Sequence, residues 1–508
     1  MKKIILLFTA AILMMACSES ELDLNNPNKI TAETFWKTQS DLESGLSSAY
    51  YSMIEFSPGA PYWGIQTMQM KEARTENFYS RNDVGARYDI SMYKETPSNS
   101  IVGDLYSSLY TGIFRTNQVL YYADGIDMDA TEKATIVAEA KFLRGLYDFI
   151  LAIEYKDAPL ITTLIQNKSQ YFNKKSTQAE IYAQVEKDLT EAIPDLPKIN
   201  TDERVGRASQ ASAIGLLGKV YLYEEKWSDA QAQFESLVKN ESSYGLGLLD
   251  NYAELFDGNH ENSKEAVFEI QFSTLGGTDI WTDNSASRVR STTMGEELAP
   301  PEVGGWNELW PTQTLLNAML QEKTADGEVD PRAYATLAWN YKGCVFYNKP
   351  FAKTFGENAI WIRKCQNWWN DDEGDWKSTL DEYAMRYADV LLMLAESYTM
   401  QDQVAKAAPL VQRIRTRAKL ADTSATMATW DKATMMQEIM HQRNVEFARE
   451  GFHFYDLRRW GTLQQVIKDS GRMGSSNYTT KFEYYPIPEA ELDNNPNMIQ
   501  NDAWKSSK

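Results

Sequence analysis

The 508-residue chain has few of the residues that carry metal and acid–base chemistry. It contains three cysteines and three histidines, His260, His441 and His453, which are scattered along the sequence. A transition-metal site is therefore not expected. His-Glu-x-x-His, Gly-x-Ser-x-Gly, a phosphate-binding glycine-rich loop and Cys-x-x-Cys are all missing, which removes the usual sequence support for the corresponding enzyme classes. Glycosidase chemistry needs only two carboxylates across a cleft, so 71 acidic residues leave that alternative open.

Basic residues are outnumbered by acidic ones. The net charge of −20 makes nucleic acid and anionic membrane surfaces poor partners for the body of the protein. The acidic run from Asn370 to Asp375 offers calcium ligands, but its glycine is out of place for an EF-hand loop. An ordinary acidic surface turn is the alternative. The sequence thus predicts no cofactor, with structural calcium as the one open possibility.

The N-terminus is a targeting segment. Lys2 and Lys3 precede an apolar stretch, Ile4 to Ala16, that is too short to cross a bilayer. It ends at Met14-Met-Ala-Cys17, which resembles the cleavage site of bacterial lipoproteins. We therefore predict a signal peptide at residues 1–16, lipidation of Cys17 and an acidic extended leader at residues 17–38. An ordinary secretory signal with an incidental cysteine is the alternative.

Helical periodicity covers most of the remaining chain. It predicts helices that start at Thr38 or Ser40, at Ile101, at Ala130 and at Thr177. The segments around Leu217-Gly218 and Ala395 match the spacing of tetratricopeptide repeats. We expect a mostly α single body at residues 39–508, with tetratricopeptide-like helix pairs at about 39–240 and 382–461 and a C-terminal segment at 462–508.

A long insertion, residues 241–381, separates the two repeat regions. It is predicted to be non-helical, with a strand near Ala266–Phe272, and it is rich in tryptophan. A long, aromatic loop region on a rigid frame is typical of a binding face. Tryptophan and tyrosine stack on the apolar faces of sugars, while polar side chains bond the hydroxyl groups. The candidate ligand-binding residues are Trp281, Asp283, Arg288, Trp306, Trp310, Trp339, Asn77, Tyr79 and Arg81. For each tryptophan, core packing is the alternative.

Cys344 and Cys365 lie in two strand-like runs, at residues 343–347 and 359–363. A hairpin centred near Lys353 and Thr354 would place the two cysteines opposite each other. A disulfide is then possible in an oxidising compartment. Two buried thiols are the alternative.

The stretch from His441 to Gly461 combines charges with aromatic residues. Arg443, Glu446 and Arg449 follow one another at three-residue spacing, as do Asp456 and Arg459. The pattern predicts a partly buried ion network on a helix that Gly451 interrupts, because buried charges persist only when they are paired. The alternative gives an acid or base role to Glu446, Glu450, Asp456 or His453.

This stretch resembles the core motif of SusD/RagB-like lipoproteins, which carry a version of R-x-x-E-x-x-x-E-G-x-x-x-x-D-L-R-R-W-G. The match runs from Arg443 to Gly461, and the ending from Tyr485 to Asn501 is similar as well. Further motifs are the segment Glu139–Tyr147 and the segment Arg386–Glu396. The resemblance implies a largely α-helical fold with tetratricopeptide units that support a ligand-binding face.

The resemblance also implies a function. It implies a lipoprotein that is anchored in the outer membrane and faces the cell exterior, where it binds oligo- or polysaccharide and hands it to a SusC-like TonB-dependent transporter, without catalysis. Peptide or glycoprotein-fragment binding in a RagB-like importer is the alternative. A glycoside hydrolase is a third, less favoured hypothesis. The resemblance does not say which glycan is bound.

Overall fold

Helices that pack side by side form the frame of the molecule. The computed structural model describes residues 32–55, 60–274, 290–373 and 378–505. The helices of the N-terminal half are α1 Ala32–Phe35, α2 Gln39–Tyr51, α3 Ile65–Ala73, α4 Gly85–Ser91, α5 Ser100–Tyr122, α6 Ala130–Tyr155, α7 Gln178–Ala192, α8 Gln210–Tyr223 and α9 Trp227–Lys239.

The second half alternates short elements with a further set of long helices. Its helices are α10 Met294–Leu298, α11 Gln313–Met319, α12 Pro331–Thr336, α13 Phe351–Phe355, α14 Tyr387–Met400, α15 Val404–Arg417, α16 Ser424–Met427, α17 Lys432–Phe447, α18 His453–Arg459, α19 Leu463–Ser470 and α20 Glu489–Asn494. The mostly α fold class predicted from the sequence is confirmed.

The long helices form one continuous row. Helix α2 packs on α5, α5 on α6, α6 on α7, α7 on α8 and α8 on α9. Helix α9 then packs on α14, which joins α15 and α17. The C-terminal helices therefore extend the N-terminal row. Helix pairs stand where the repeats were expected, while their assignment to the tetratricopeptide class stays a prediction.

The predicted helix starts are confirmed by their caps. Thr38 caps α2 and Thr177 caps α7, each in a reciprocal pair with the acidic residue three positions on. Asp129 accepts the first backbone N–H groups of α6. Among the helices that the structure describes, none is both long and apolar enough to cross a bilayer.

The described residues between 241 and 381 fold into short helices and small antiparallel ribbons, so the prediction of a non-helical insertion is wrong in this respect. The strands of the molecule are β1 Phe78–Ser80, β2 Ala266–Ile270, β3 Leu309–Pro311, β4 Leu337–Trp339, β5 Val345–Phe346, β6 Lys349–Pro350, β7 Ile360–Ile362 and β8 Glu382–Arg386. Strand β1 pairs with β3, β2 with β8, β4 with β7 and β5 with β6. The strand predicted near Ala266 is confirmed.

The hairpin predicted between residues 343–347 and 359–363 is wrong. Strand β5 pairs with β6 across a two-residue turn, and β7 pairs with β4 instead. Tyr347 and Asn348 adopt φ values of 49° and 54°, as both central residues of a tight hairpin turn of this kind require. The chain therefore reverses before Lys353. Cys344 and Cys365 are buried free thiols in separate apolar clusters.

A buried ion network lies where the strands of the insertion meet α17. Arg386 bonds Glu446 at 2.8 Å and Glu450 at 2.7 Å, and Lys364 bonds Glu450 at 2.7 Å. Arg417 also contacts Glu446. The network confirms that charges are buried in this stretch. It joins β8, the segment after β7, α15 and α17.

Two of the three predicted neighbour pairs in this stretch are wrong. Asp456 and Arg459 do pair, at 2.8 Å. Arg443 bonds Asp456 and Asp389, both at 2.7 Å, and Arg449 bonds Glu382 at 2.5 Å. These side chains are almost fully buried, so their partners come from the elements packed around the helix rather than from its own surface.

Candidate functional site

The β1–β3 ribbon brings together residues that are far apart in the sequence. Tyr79 lies directly opposite Trp310 in the ladder. Directly opposed side chains share one face of a sheet, and these two rings meet edge to face with their centroids 5.0 Å apart. Both side chains are half-buried. The ribbon thus presents an aromatic pair that the sequence predicted as two separate candidates.

Arg81 extends the ribbon beyond β1 and fixes the position of a second tryptophan. Its backbone N–H donates to the carbonyl of Glu308 at 2.9 Å. Its guanidinium donates to the Trp306 carbonyl and, through Nε, to Asp83 at 2.7 Å. The same guanidinium holds the pKa of the Asp83 carboxyl below its usual range. Tyr79, Arg81, Trp306 and Trp310 therefore lie in one place.

A tight turn places Trp306 at this position. Gly304 has a φ of 87°, which favours glycine. A side chain on Gly305 would lie 2.2 Å from the Ala299 carbonyl oxygen. The Trp310 indole N–H then donates to the Asn307 carbonyl at 2.9 Å, which fixes the orientation of that ring. The sequence Gly-Gly-Trp therefore has a local structural reason.

Asn77 lies beneath the ribbon rather than on its surface. The residue is fully buried, and its amide donates to the Asn444 side chain at 2.7 Å. Its carbonyl accepts from the Thr312 backbone N–H at 2.8 Å. The predicted ligand contact does not agree with this burial. Asn77 instead connects the ribbon to α17.

Trp339 belongs to a second aromatic cluster beside the first. Its ring stacks on Tyr334, with centroids 5.4 Å apart and an interplanar angle of 9°, and it lies 4.7 Å from the Tyr341 ring. Trp339 is on β4, which pairs with β7, and β7 packs against β3. The two ribbons are therefore neighbours. Sequence reasoning missed Tyr334 and Tyr341, although the two-residue spacing of Trp339 and Tyr341 was a visible signal.

Trp281, Asp283 and Arg288 lie outside the described residues. The chain on either side of that segment is held together, because the Ser273 N–H donates to the Arg290 carbonyl at 2.9 Å. The Arg290 guanidinium lies 3.7 Å from the centre of the Tyr51 ring. Cys17 also precedes the described part of the chain, so its predicted lipidation stays a prediction.

Titratable side chains of the core motif are engaged in structural pairs. Burial raises the pKa of the Glu446 carboxyl, but the neighbouring Arg417, Arg386 and Arg332 outweigh it, so that this pKa lies well below its usual range. His453 is buried and bonds Glu76 at 2.7 Å, which raises the pKa of the imidazole. These contacts hold the charged groups in the core and away from solvent. They give no support to an acid or base role.

In the described chain, no group of three or more histidine, cysteine, aspartate or glutamate side chains is arranged to hold a metal ion. In the predicted acidic turn, Asp371 accepts from the Asn348 amide at 2.9 Å, and its carbonyl accepts from the Lys349 ammonium. Tyr347 and Asn367 bond the buried Glu373. In the described part of this turn, oxygens of Asp371 and Glu373 that could bind calcium accept hydrogen bonds from protein groups instead.

The arrangement suits recognition more than bond cleavage. Half-buried rings at Tyr79, Trp310 and Trp339 offer flat apolar surfaces. Arg81 and Asp83 supply a donor and an acceptor at the edge of the first cluster, with side chains 31% and 49% exposed. Such a surface can stack a ring-shaped ligand and bond its polar rim.

Comparison with known proteins covers the whole described body. Residues 264–504 match the model of the SusD family, and residues 22–222 match a model described as starch-binding, associating with the outer membrane. The chain is 35% identical to a SusD superfamily protein from Bacteroides vulgatus with a known crystal structure. The match covers 93% of this chain and 100% of that protein's chain, with a TM-score of 0.85. A laminarin-binding SusD-like protein is 26% identical over 92% of this chain and 99% of its own, with a TM-score of 0.76. A SusD-like protein of Formosa agariphila is 26% identical over 99% of both chains.

Proposed function

Because the chain belongs to the SusD family, we propose that it is a cell-surface lipoprotein that binds oligo- or polysaccharide and passes it to a SusC-like TonB-dependent outer-membrane transporter. The lipid anchor would be attached at Cys17. The proposed role includes no bond cleavage.

The observation that carries the proposal is the meeting of Tyr79, Arg81, Trp306 and Trp310 at one end of the β1–β3 ribbon. Aromatic rings with polar groups at their edges match the two kinds of surface that a sugar offers. The laminarin binding named for one similar structure, and the starch binding named for one matching family model, support the same ligand class.

A peptide ligand has less support at this ribbon. Peptide capture by strand addition needs an open strand edge with free backbone groups. The outer edge of β1 faces α4, where the Ser80 N–H donates to the Ser91 hydroxyl at 3.2 Å. An added strand would have to displace this bond. Stacking on the half-buried rings needs no such change.

A panel of immobilised polysaccharides, including laminarin and starch, tests glycan binding. A soluble chain that starts at residue 18, and so lacks the predicted lipid-bearing Cys17, should be retarded in a native gel that contains its glycan. Trp306→Ala should lose the retardation, whereas Tyr171→Ala, which removes a 57% exposed ring from the loop that Asn497 contacts, should keep it. Failure to bind any member of a broad panel would count strongly against the proposal.

Delivery to a transporter needs a separate test. The lipidated protein, used as bait in solubilised outer membranes, should co-purify with a large β-barrel transporter, and Cys17→Ala should no longer partition with the membrane. An assay for reducing ends released from bound polysaccharide should stay at background. Isolation of the lipidated protein without a barrel would instead indicate a free-standing surface binder.

A further inference from the structure

Two buried glutamates lie beside the end of the Tyr79–Trp310 ribbon. Glu297 is on α10 and Glu308 immediately precedes β3, and their exposures are 3% and 4%. The Gln69 amide donates to one carboxylate oxygen of each, at 3.1 Å and 3.2 Å. Both contacts involve the Oε2 atom, so the two carboxyl groups face the same donor. They are therefore close neighbours in a site that water barely reaches.

One arginine serves both carboxyl groups. Arg87, on α4, is 5% exposed and contacts Oε2 of Glu308 and of Glu297, the latter at 3.2 Å. Thr293 adds a neutral hydroxyl donor to Glu297 at 3.0 Å. The Arg81 guanidinium lies 3.8 Å from Glu308, but Asp83 already pairs with it. One cation and two buried carboxylates would leave a negative charge uncompensated, which is costly.

Such a pair lowers its energy by keeping one proton. Burial, and then the neighbouring Glu308, raise the pKa of the Glu297 carboxyl well above its usual range, against the opposing effect of Arg87. With the proton in place, one carboxyl is neutral and the other pairs with Arg87. The geometry and the direction of the pKa shift agree.

Glu308 connects this pair to the candidate site through its backbone. Its N–H donates to the Glu297 carbonyl at 2.9 Å, and its carbonyl accepts from the Arg81 N–H at 2.9 Å. The Trp306 N–H is likewise bonded to the Glu296 carbonyl at 2.9 Å. Repulsion between the two carboxylates would therefore act on the segment that positions Arg81 and Trp306.

We propose that Glu297 and Glu308 share one proton, and that Glu308 is a positioning residue through which this proton controls the affinity of the ribbon for glycan. The inference rests on the function proposed above. The acid form of the pair keeps the ribbon in place. The protein then binds glycan most tightly at a pH below the raised pKa of the pair, and its affinity falls as the pH rises through that pKa.

Glu297→Gln gives the sharpest test, because glutamine has the shape of a protonated glutamate and cannot ionise. Laminarin binding is measured by calorimetry between pH 5 and pH 9. The wild type should weaken by roughly fivefold or more across this range, a usual size for coupling between two sites. Glu297→Gln should stay nearly constant. Glu302→Gln, which changes an exposed glutamate on the neighbouring turn, should follow the wild type.

Thermal melting without ligand separates this inference from the proposed function. If the pair holds a proton, the melting temperature of Glu297→Gln minus that of the wild type should grow as the pH rises. A difference that does not change with pH would overturn the shared proton, whether or not laminarin binds. The melting-temperature difference could grow with pH while the glycan affinities of Glu297→Gln and the wild type change with pH in the same way. That combined result would overturn the positioning role of Glu308. If laminarin does not bind at any pH, the same calorimetry is run with whichever polysaccharide of the panel retards the protein.

Discussion

The guanidinium of Arg386 lies 2.8 Å from the carboxylate of Glu446, although the two residues are 60 positions apart in the chain. Arg386 ends β8 and Glu446 is in the last turn of α17. Both side chains are fully buried. The contact joins the strand that follows the insertion to the helix of the core motif, in a site closed to water.

Replacement of Arg386 by methionine should destabilise the protein strongly. It would leave Glu446 and Glu450 without their shared cation in a site closed to water, and the loss of one partner of a buried pair costs roughly 3–5 kcal/mol. Urea unfolding followed by circular dichroism measures the change. Arg413→Met is the matched control, because its pair with Glu241 is 35% and 39% exposed and should contribute less than about 1 kcal/mol. Equal losses in the two variants would contradict the assignment.

The charge pattern predicted that this region is buried and paired, but it did not predict the partners. Spacing along a helix reports only neighbours on its own surface. It succeeded for Asp456 and Arg459, which lie at the edge of the network. It failed for Arg443 and Arg449, whose partners Asp389 and Glu382 come from other elements. Tertiary packing decides such pairs, and periodicity contains no information about it.

The Tyr79–Trp310 contact predicts a coupled loss of binding. Tyr79→Ala and Trp310→Ala should each weaken glycan binding by about tenfold, because truncation of a ring at a stacking surface commonly costs more than 1 kcal/mol. The double variant should lose less affinity than the product of the two single fold-losses, because each ring supports the other across a centroid distance of 5.0 Å. Calorimetry on the glycan found in the panel gives the three affinities.

Tyr79→Phe is the control for this cycle, because it keeps the ring and removes only the hydroxyl group. It should bind within about twofold of the wild type if stacking dominates. A large loss in Tyr79→Phe would show that the hydroxyl is the contact group instead. Strict additivity of the two alanine variants would show that the rings act on the ligand independently.

The chemistry of the candidate site was predictable from the sequence, and its geometry was only partly so. Gly304-Gly305 before Trp306 indicated a tight turn beside an aromatic residue. Nothing in the local sequence paired Tyr79 with Trp310, because strand register between distant segments depends on the whole fold. Asn77 was grouped with Tyr79 by proximity in sequence, yet it faces the core. The two-residue turn at Tyr347 and Asn348 lacks the usual asparagine–glycine signal, so the hairpin was misplaced.

Cys344 and Cys365 should behave as buried thiols. Their exposures are 6% and 4%, and burial beside Glu382 raises the pKa of Cys365 to about 12, so little reactive thiolate forms. In a chain that starts at residue 18, a thiol reagent should react slowly with the native protein and rapidly with two groups after denaturation without reductant. Cys344→Ser should leave one reactive group. A denatured wild type that titrates no thiol would instead indicate the disulfide.

The buried carboxyl of Asp148 should make the folded protein less stable as the pH rises. It lies in α6 with no exposure, and neither carboxylate oxygen has a hydrogen-bond partner among the described residues. Burial and the nearby Asp188 raise its pKa well above the usual value, because Arg144 is committed to Asp188 at 2.7 Å. The folded protein therefore keeps a proton that the unfolded chain releases above about pH 4. This lowers the free energy of unfolding by about 1.4 kcal/mol per pH unit until the pKa of the folded state is reached.

Asp148→Asn should remove this dependence on pH. Urea titrations between pH 5 and pH 8 should then show that the free energy of unfolding of Asp148→Asn, minus that of the wild type, increases with pH. Asp188→Asn should lose stability throughout, because it leaves Arg144 unpaired. Parallel curves for Asp148→Asn and the wild type would show that Asp148 is ionised in the folded protein.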